Sequence, residues 1–158
     1  MTQQRSPLRI NIGFLVHQQI GTYRDMHFEF PEIHLHPDFD LQSFRGGVHL
    51  SRTPQGVMVQ GDFQGNAMME CIRCLTEFSQ PLHTQFYELY AFNSRSVTES
   101  GLIMPDDGNI DLTPLVREFM LLEVPIRPMC REDCKGLCIV CGADLNVETC
   151  EHQRRITI

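Results

Sequence analysis

Cysteine is the residue type in this chain whose spacing suggests chemistry. Five of the seven cysteines fall between Cys130 and Cys150, in the run Cys130-Arg-Glu-Asp-Cys134-Lys-Gly-Leu-Cys138-Ile-Val-Cys141-Gly-Ala-Asp-Leu-Asn-Val-Glu-Thr-Cys150-Glu-His152. The central signal is Cys138-x2-Cys141-Gly142. Two residues between thiolates allow a tight turn that aims both sulfurs at one ion, and the glycine that follows lets the backbone reverse without a Cβ clash. A mononuclear tetrahedral site needs four ligands. The expected set is Cys134, Cys138, Cys141 and Cys150, with Cys130 and His152 as substitutes. The surplus of thiols points to a closed, structural zinc rather than a catalytic ion with an open position. The stretch carries few large apolar residues, so metal binding is expected to supply most of its folding free energy.

A second pair, Cys71-Ile-Arg73-Cys74, lies in the middle of the chain. It has three readings: two ligands for a second zinc or one shared with the tail, a redox dithiol, or two core cysteines flanking an exposed arginine. Redox dithiols sit at helix N-termini, where the dipole lowers the thiol pKa, and no helical pattern follows Cys74.

The other residue types point away from catalysis. The chain has no His-Glu-x2-His, no glycine-rich phosphate loop and no Gly-x-Ser-x-Gly. His34-x-His36 would share one strand face, which reads as a solvated face. His27, His49 and His83 are scattered without an evident carboxylate partner. The expectation is a non-enzymatic protein with no small-molecule substrate.

Composition and charge limit the partners. Hydrophobic content of 42% is enough for a core, and no apolar run approaches the ~20 residues that span a bilayer. Ile10–Val16 is too short and wrongly flanked for a signal peptide. A soluble, cytoplasmic chain with no membrane partner is expected, in which reducing conditions leave thiols free for metal. The formal charge of −7 is uneven. Residues 1–95 hold seven Arg against nine acids, 96–126 hold Arg117 against six acids, and 127–158 hold four Arg and Lys135 against five acids. Without a dense basic tract, counterion release contributes little to nucleic-acid affinity. Any RNA contact must come from a few arginines beside the cysteines, and Arg73, Arg127, Arg131, Arg154 and Arg155 are the candidates. The acidic 96–126 segment could instead hold a basic protein.

The elements that must position these groups are mainly strands. Val57, Val59, Gly61 and Phe63 alternate with Met58, Gln60 and Asp62, the period of a half-buried strand. Phe28, Phe30, Ile33 and Leu35 alternate with polar residues in a stretch expected to break at Pro31. Turn signals recur at Gly46-Gly47, Thr53–Gly56 and Gln64–Asn66. Residues 93–108 read as a mobile connector. A helix is expected over Leu112–Leu122, capped by Asp111 or Thr113, with Pro114 in its first turn and Leu115, Phe119 and Leu122 on its apolar face, widened by Val116 and Met120. The fold class is α+β: mainly an antiparallel β meander or small barrel, one helix in the C-terminal half and a small zinc-binding tail. The expected organisation is a β-rich core over 1–92, a connector and helix of the same domain over 93–126, and a zinc-binding tail over 127–158.

Several of these pieces together resemble the bacterial YceD family. They are Cys71-x-Arg73-Cys74-Leu75, Asp111-Leu112 opening a helix, and Pro125-Ile126-Arg127-Pro128-Met129-Cys130 leading into Cys134-Lys-Gly-Leu-Cys138-x2-Cys141-Gly142-Ala-Asp-Leu145-Asn146. The resemblance spans roughly residues 10–152. It implies a non-enzymatic factor supporting accumulation of large-subunit ribosomal RNA, with that RNA or a ribosomal protein as partner. Some members of the family lack the cysteine tail, which makes Cys71, Arg73 and Cys74 the better-matched feature. Tails in the family often end in Cys-x-Cys, whereas Cys150-Glu151-His152 places histidine second. A zinc- or thiol-based redox or metal sensor is the alternative from a different class.

Overall fold

Alternating apolar and polar side chains over long runs produce one dominant sheet. The structure, a computed structural model, describes residues 6–152. Four long strands, β2 (Tyr23–Leu35), β3 (Phe39–Arg52), β4 (Gly56–Glu70) and β5 (Glu77–Ala91), lie side by side in sequence order. The sheet stays open, so the arrangement is the meander and not the barrel. A short strand β1 (Arg9–Asn11) pairs antiparallel with β6 (Asn109–Asp111), and helix α1 (Thr113–Leu122) follows β6. The chain divides into two compact units, one of Met1–Asn66 with Pro81–Glu123 and one of Ala67–Gln80 with Val124–Ile158. Strands β4 and β5 contribute residues to both.

In the first unit the predicted alternation on β4 holds: Val57, Val59, Gly61 and Phe63 are buried, and Gln60 and Asp62 are exposed. The rings of Phe44, Phe63, Phe86 and Phe119 stack in series at centroid separations of 5.3, 6.1 and 5.0 Å, carrying the core from β3 through β4 and β5 to the helix. Pro31 does not break its strand. Residue pairing runs past it, from Phe30↔Phe44 to Glu32↔Gln42, because β2 is an edge strand and a missing N–H there can face away from the ladder. Residues 93–108 are tied to the fold by Ala91 N–H to Leu102 O (3.1 Å), Met104 N–H to Ala91 O (2.8 Å) and Ile12 N–H to Gly108 O (2.8 Å).

The helix forms one residue inside the expected span, with Pro in its first turn. Leu112, not Asp111 or Thr113, is its N-cap and makes no side-chain cap bond, while the Asp111 carboxylate just before it accepts the Thr113 N–H at 2.9 Å. Its buried residues are Thr113, Leu115, Val116 and Met120. Leu122 is 73% exposed, contrary to its expected place on the apolar face. Leu115, Val116 and Met120 are buried and Phe119 stacks on Phe86, so the expected face holds while the last residue of the helix rotates out.

The second unit is built from the β4–β5 tip and the tail. Its core is small: Cys71, Cys74 and Cys134 are buried, with Phe78, Met129, Cys130 and Leu137 packed against them. Sulfur occupies positions that branched aliphatics fill in the first unit. So little apolar area contributes only modestly to stability.

Candidate metal centre

The tip of the β4–β5 hairpin turns through Cys71-Ile-Arg-Cys74-Leu75. Cys71 N–H donates to Thr76 O (2.9 Å) and Leu75 N–H donates back to Cys71 O (2.9 Å). Leu75 takes a left-handed φ of 61° to complete the reversal. The tail docks on this tip through backbone bonds, Ile72 N–H to Pro128 O (3.0 Å) and Leu137 N–H to Arg73 O (3.1 Å). These contacts bring four thiols together. Cys71 Sγ lies 3.7 Å from Cys134 Sγ, Cys74 Sγ lies 3.6 Å from Cys130 Sγ, and all four sulfurs lie within 4.8 Å of one another.

That spacing fits a tetrahedral ion. Sulfurs about 2.3 Å from zinc define a tetrahedron with edges of ~3.8 Å. All seven cysteines are free thiols. The Asn146 amide caps one sulfur, donating from Nδ2 to Cys134 Sγ at 3.4 Å, while its Oδ1 accepts the Lys135 N–H at 2.8 Å. Asp144 Oδ1 accepts from both Asn146 Nδ2 (3.0 Å) and Asn146 N–H (2.9 Å), fixing the amide. Hydrogen bonds of this kind orient ligands and tune their basicity.

The electrostatics split the set. The Cys74 N–H aimed at its sulfur pulls the Cys71 thiol down to about 6 against the opposing effect of burial, with the N–H groups of Cys130 and Arg73 acting in the same direction. Hydrogen bonds from the Thr76 side chain and backbone lower Cys74. Burial pushes Cys130 up to about 12, helped by the neighbouring sulfurs. Four thiols so close cannot all ionise together without a cation to balance them. A divalent ion would replace the protons, since thiolates are the binding form.

The expected four-ligand set is therefore divided. Cys138, Cys141 and Cys150 lie together with His152, their ligand atoms again within 4.8 Å of one another, whereas Cys134 lies with Cys71, Cys74 and Cys130. In the second group the Cys141 N–H lowers the Cys138 thiol to about 6, the Val140 N–H adds to it, and burial opposes; burial raises Cys150.

Arg73, Arg127 and Arg131 are exposed, each within three residues of a sulfur of the first group. Arg73 Nη1 donates to the Cys134 carbonyl at 2.8 Å. Arg131 Nε lies 3.4 Å from Asp133 Oδ1. Arg154 and Arg155 lie outside the described residues. In the first unit His49, His83 and His34 do have carboxylate partners. His49 Nδ1 lies 2.6 Å from Asp25, His83 Nε2 lies 2.7 Å from Asp62, and His34 bonds Asp40 with its ring against His36. Asp25 and His49 face each other across β2 and β3, a register that a single sequence does not display. All three pairs are solvent-exposed at both partners. No helix among the described residues is long and apolar enough to cross a membrane.

Comparison with known proteins resolves the relationship. A sequence model of the family described as "Large ribosomal RNA subunit accumulation protein YceD" matches residues 59–157, a segment holding all seven cysteines. The chain belongs to the YceD family. It is similar to an uncharacterized protein of Mycobacterium leprae, 35% identical over 105 residues that make up 64% of this chain and 48% of the relative. An uncharacterized Bacillus subtilis protein, YlbN, is 29% identical over 70 residues, 44% of this chain and 41% of that protein. The Arabidopsis thaliana large ribosomal RNA subunit accumulation protein YCED homolog 1, chloroplastic, is 38% identical over 47 residues, 30% of this chain and 15% of that protein. The chain spans about half the length of the mycobacterial relatives it matches. No solved structure matches it.

Proposed function

We propose that this protein is a non-enzymatic, cytoplasmic factor of ribosome biogenesis that supports accumulation of large-subunit ribosomal RNA. In this reading Cys71, Cys74, Cys130 and Cys134 hold a structural zinc, and the second unit carries Arg73, Arg127 and Arg131 to the RNA. The family's description and the name of the plant relative support the biological role. The zinc supplies charge balance and a cross-link between hairpin tip and tail, and no reaction is assigned to it.

The observation that carries the reading is the fixing of Arg73. Its backbone is held in the turn between two thiols, and one guanidinium nitrogen bonds the Cys134 carbonyl at 2.8 Å. The residue remains exposed, so the rest of the fork can reach a phosphate with little further loss of entropy. The acidic 96–126 segment supports protein docking less well. Asp107 there already accepts bonds from Asn109 and lies 3.9 Å from Arg9, and Asp111 is engaged by Ser6 and Thr113.

The test is binding of the full chain to large-subunit ribosomal RNA across salt concentrations, with Arg73→Ala as the perturbation. Losing one charge-assisted contact should weaken binding by about 1–3 kcal/mol at unchanged metal content. Contact through two or three phosphates gives a log–log salt slope of magnitude about 2–3. Insensitivity to Arg73→Ala together with sensitivity to Glu99→Gln and Asp106→Asn would replace RNA by a basic ribosomal protein. A reversible, oxidant-driven change in thiol count at native metal content would favour the sensor instead.

A further inference from the structure

We propose that the chain binds a second zinc-class divalent ion, held by Cys138, Cys141, Cys150 and His152 and sharing no ligand with the first group. The inference stands on the local geometry and does not depend on the ribosomal role.

Three observations carry it. First, the turn that presents Cys138 and Cys141 repeats the backbone of the hairpin tip bond for bond. Cys138 N–H donates to Ala143 O (2.8 Å) as Cys71 N–H does to Thr76 O, and Gly142 N–H donates to Cys138 O (2.9 Å) as Leu75 N–H does to Cys71 O. The residue after the second cysteine is left-handed in both, φ 77° at Gly142 and 61° at Leu75. Two segments with different side chains share this form, whose common feature is a pair of sulfurs aimed at one point. The Val140 N–H reaches Cys138 Sγ at 3.4 Å, the type of bond that supports a metal thiolate.

Second, His152 Nδ1 is buried without a hydrogen-bond partner. An orphaned buried ring nitrogen is unfavourable in a folded protein. Its group holds three thiols with their ligand atoms within 4.8 Å of the imidazole's, and a cation at their centre gives that side chain a role. Third, the donors complete a set. Three thiolates and one imidazole are a known closed tetrahedral combination for zinc, with no position left for water.

The two ions would differ in accessibility. Three of the four cysteines in the first group are buried, whereas in the second only Cys138 is, and Cys141 is exposed. The outer ion should be the first lost to a chelator. It also sets the conformation of Ile139 and Val140, which are 85% and 65% exposed between its ligands.

Elemental analysis of the full, reduced chain tests this, with native mass spectrometry for the distribution. The expected result is two zinc ions per chain, falling to one in Cys150→Ser and in His152→Ala, while Cys134→Ser loses the inner ion and keeps the outer. His152→Cys guards against misfolding. It should retain two ions, and after cobalt substitution its sulfur-to-cobalt charge-transfer absorbance should rise by about one-seventh, as seven metal–sulfur bonds become eight. A single ion in the native chain, unaffected by His152→Ala, would overturn the second site and leave the first intact. Two ions surviving both Cys150→Ser and His152→Ala would overturn the ligand assignment.

Discussion

Gly136 and Gly142 form a controlled pair for asking how tightly the tail depends on its turns. Both adopt a left-handed φ of 77°, so alanine at either position carries the same backbone strain, about 1–2 kcal/mol. Their surroundings differ. A Cβ at Gly142 meets nothing within 4 Å, whereas at Gly136 it meets the Arg73 carbonyl oxygen at 3.2 Å and Arg73 Cβ at 3.3 Å. That carbonyl accepts the Leu137 N–H at 3.1 Å, one of the bonds that dock the tail on the hairpin tip. Displacing it forfeits roughly a further 0.5–1.5 kcal/mol. Because metal binding and folding of such a unit are one equilibrium, the strain should appear as weaker metal retention. At about 1.4 kcal/mol per tenfold, Gly142→Ala should lower it by about 5–30-fold and Gly136→Ala by about 10–300-fold. Competition against a chromophoric chelator, run on the full chain at fixed pH, measures both. The loss in Gly136→Ala should fall on the ion of Cys71, Cys74, Cys130 and Cys134, that in Gly142→Ala on the outer one. Native retention in Gly136→Ala, or equal losses from the same ion, would refute the docking geometry.

Other outcomes follow from the same structure. Chelation of both ions should remove hydrogen-exchange protection from residues 124–152, and Cys134→Ser from residues 124–137, while strands β2 and β3 stay protected, since their core of Leu41, Phe44, Val48 and Leu50 contains no sulfur ligand; simultaneous loss in both units would contradict it. Burial of Asp111 opposes its ionisation, but hydrogen bonds from the Thr113 N–H and the Ser6 hydroxyl win and hold its carboxyl below the usual range. Its stabilising contribution is therefore complete above the unfolded value of about 4 and is lost as pH falls through the lower folded value. Asp111→Ala should flatten that acid limb in thermal melts, and an unchanged limb would show that the carboxylate is not coupled to folding.

The sequence carried the chemistry further than the allocation. Cys-x2-Cys is a local pattern, so both pairs were visible before any fold, and Gly142 marked the second as a turn; that Leu75 completes the first in a left-handed φ was not legible. Which sulfurs share a site depends on the left-handed turn at Gly136, which sends Cys134 and Cys138 to different groups although they are four residues apart. Asn146 was visible only as part of a family-like run, because its bond to Cys134 Sγ crosses a turn. The strands were legible from their period of two. The cross-strand pairing of Asp25 with His49 was not, since register is set by the whole sheet. Pro31 and Leu122 misled for one reason: local rules describe an isolated element, and an edge position or a final helical residue answers to its surroundings.

Replacement of the native chain in cells by Cys134→Ser, with the ratio of large- to small-subunit ribosomal RNA as readout, tests most directly whether the metal-held unit serves ribosome biogenesis. The account predicts that Cys134→Ser, present at native abundance, lowers this ratio to the level seen when the protein is absent. A ratio equal to that of cells carrying the native chain, from protein shown to lack the inner ion, would contradict it.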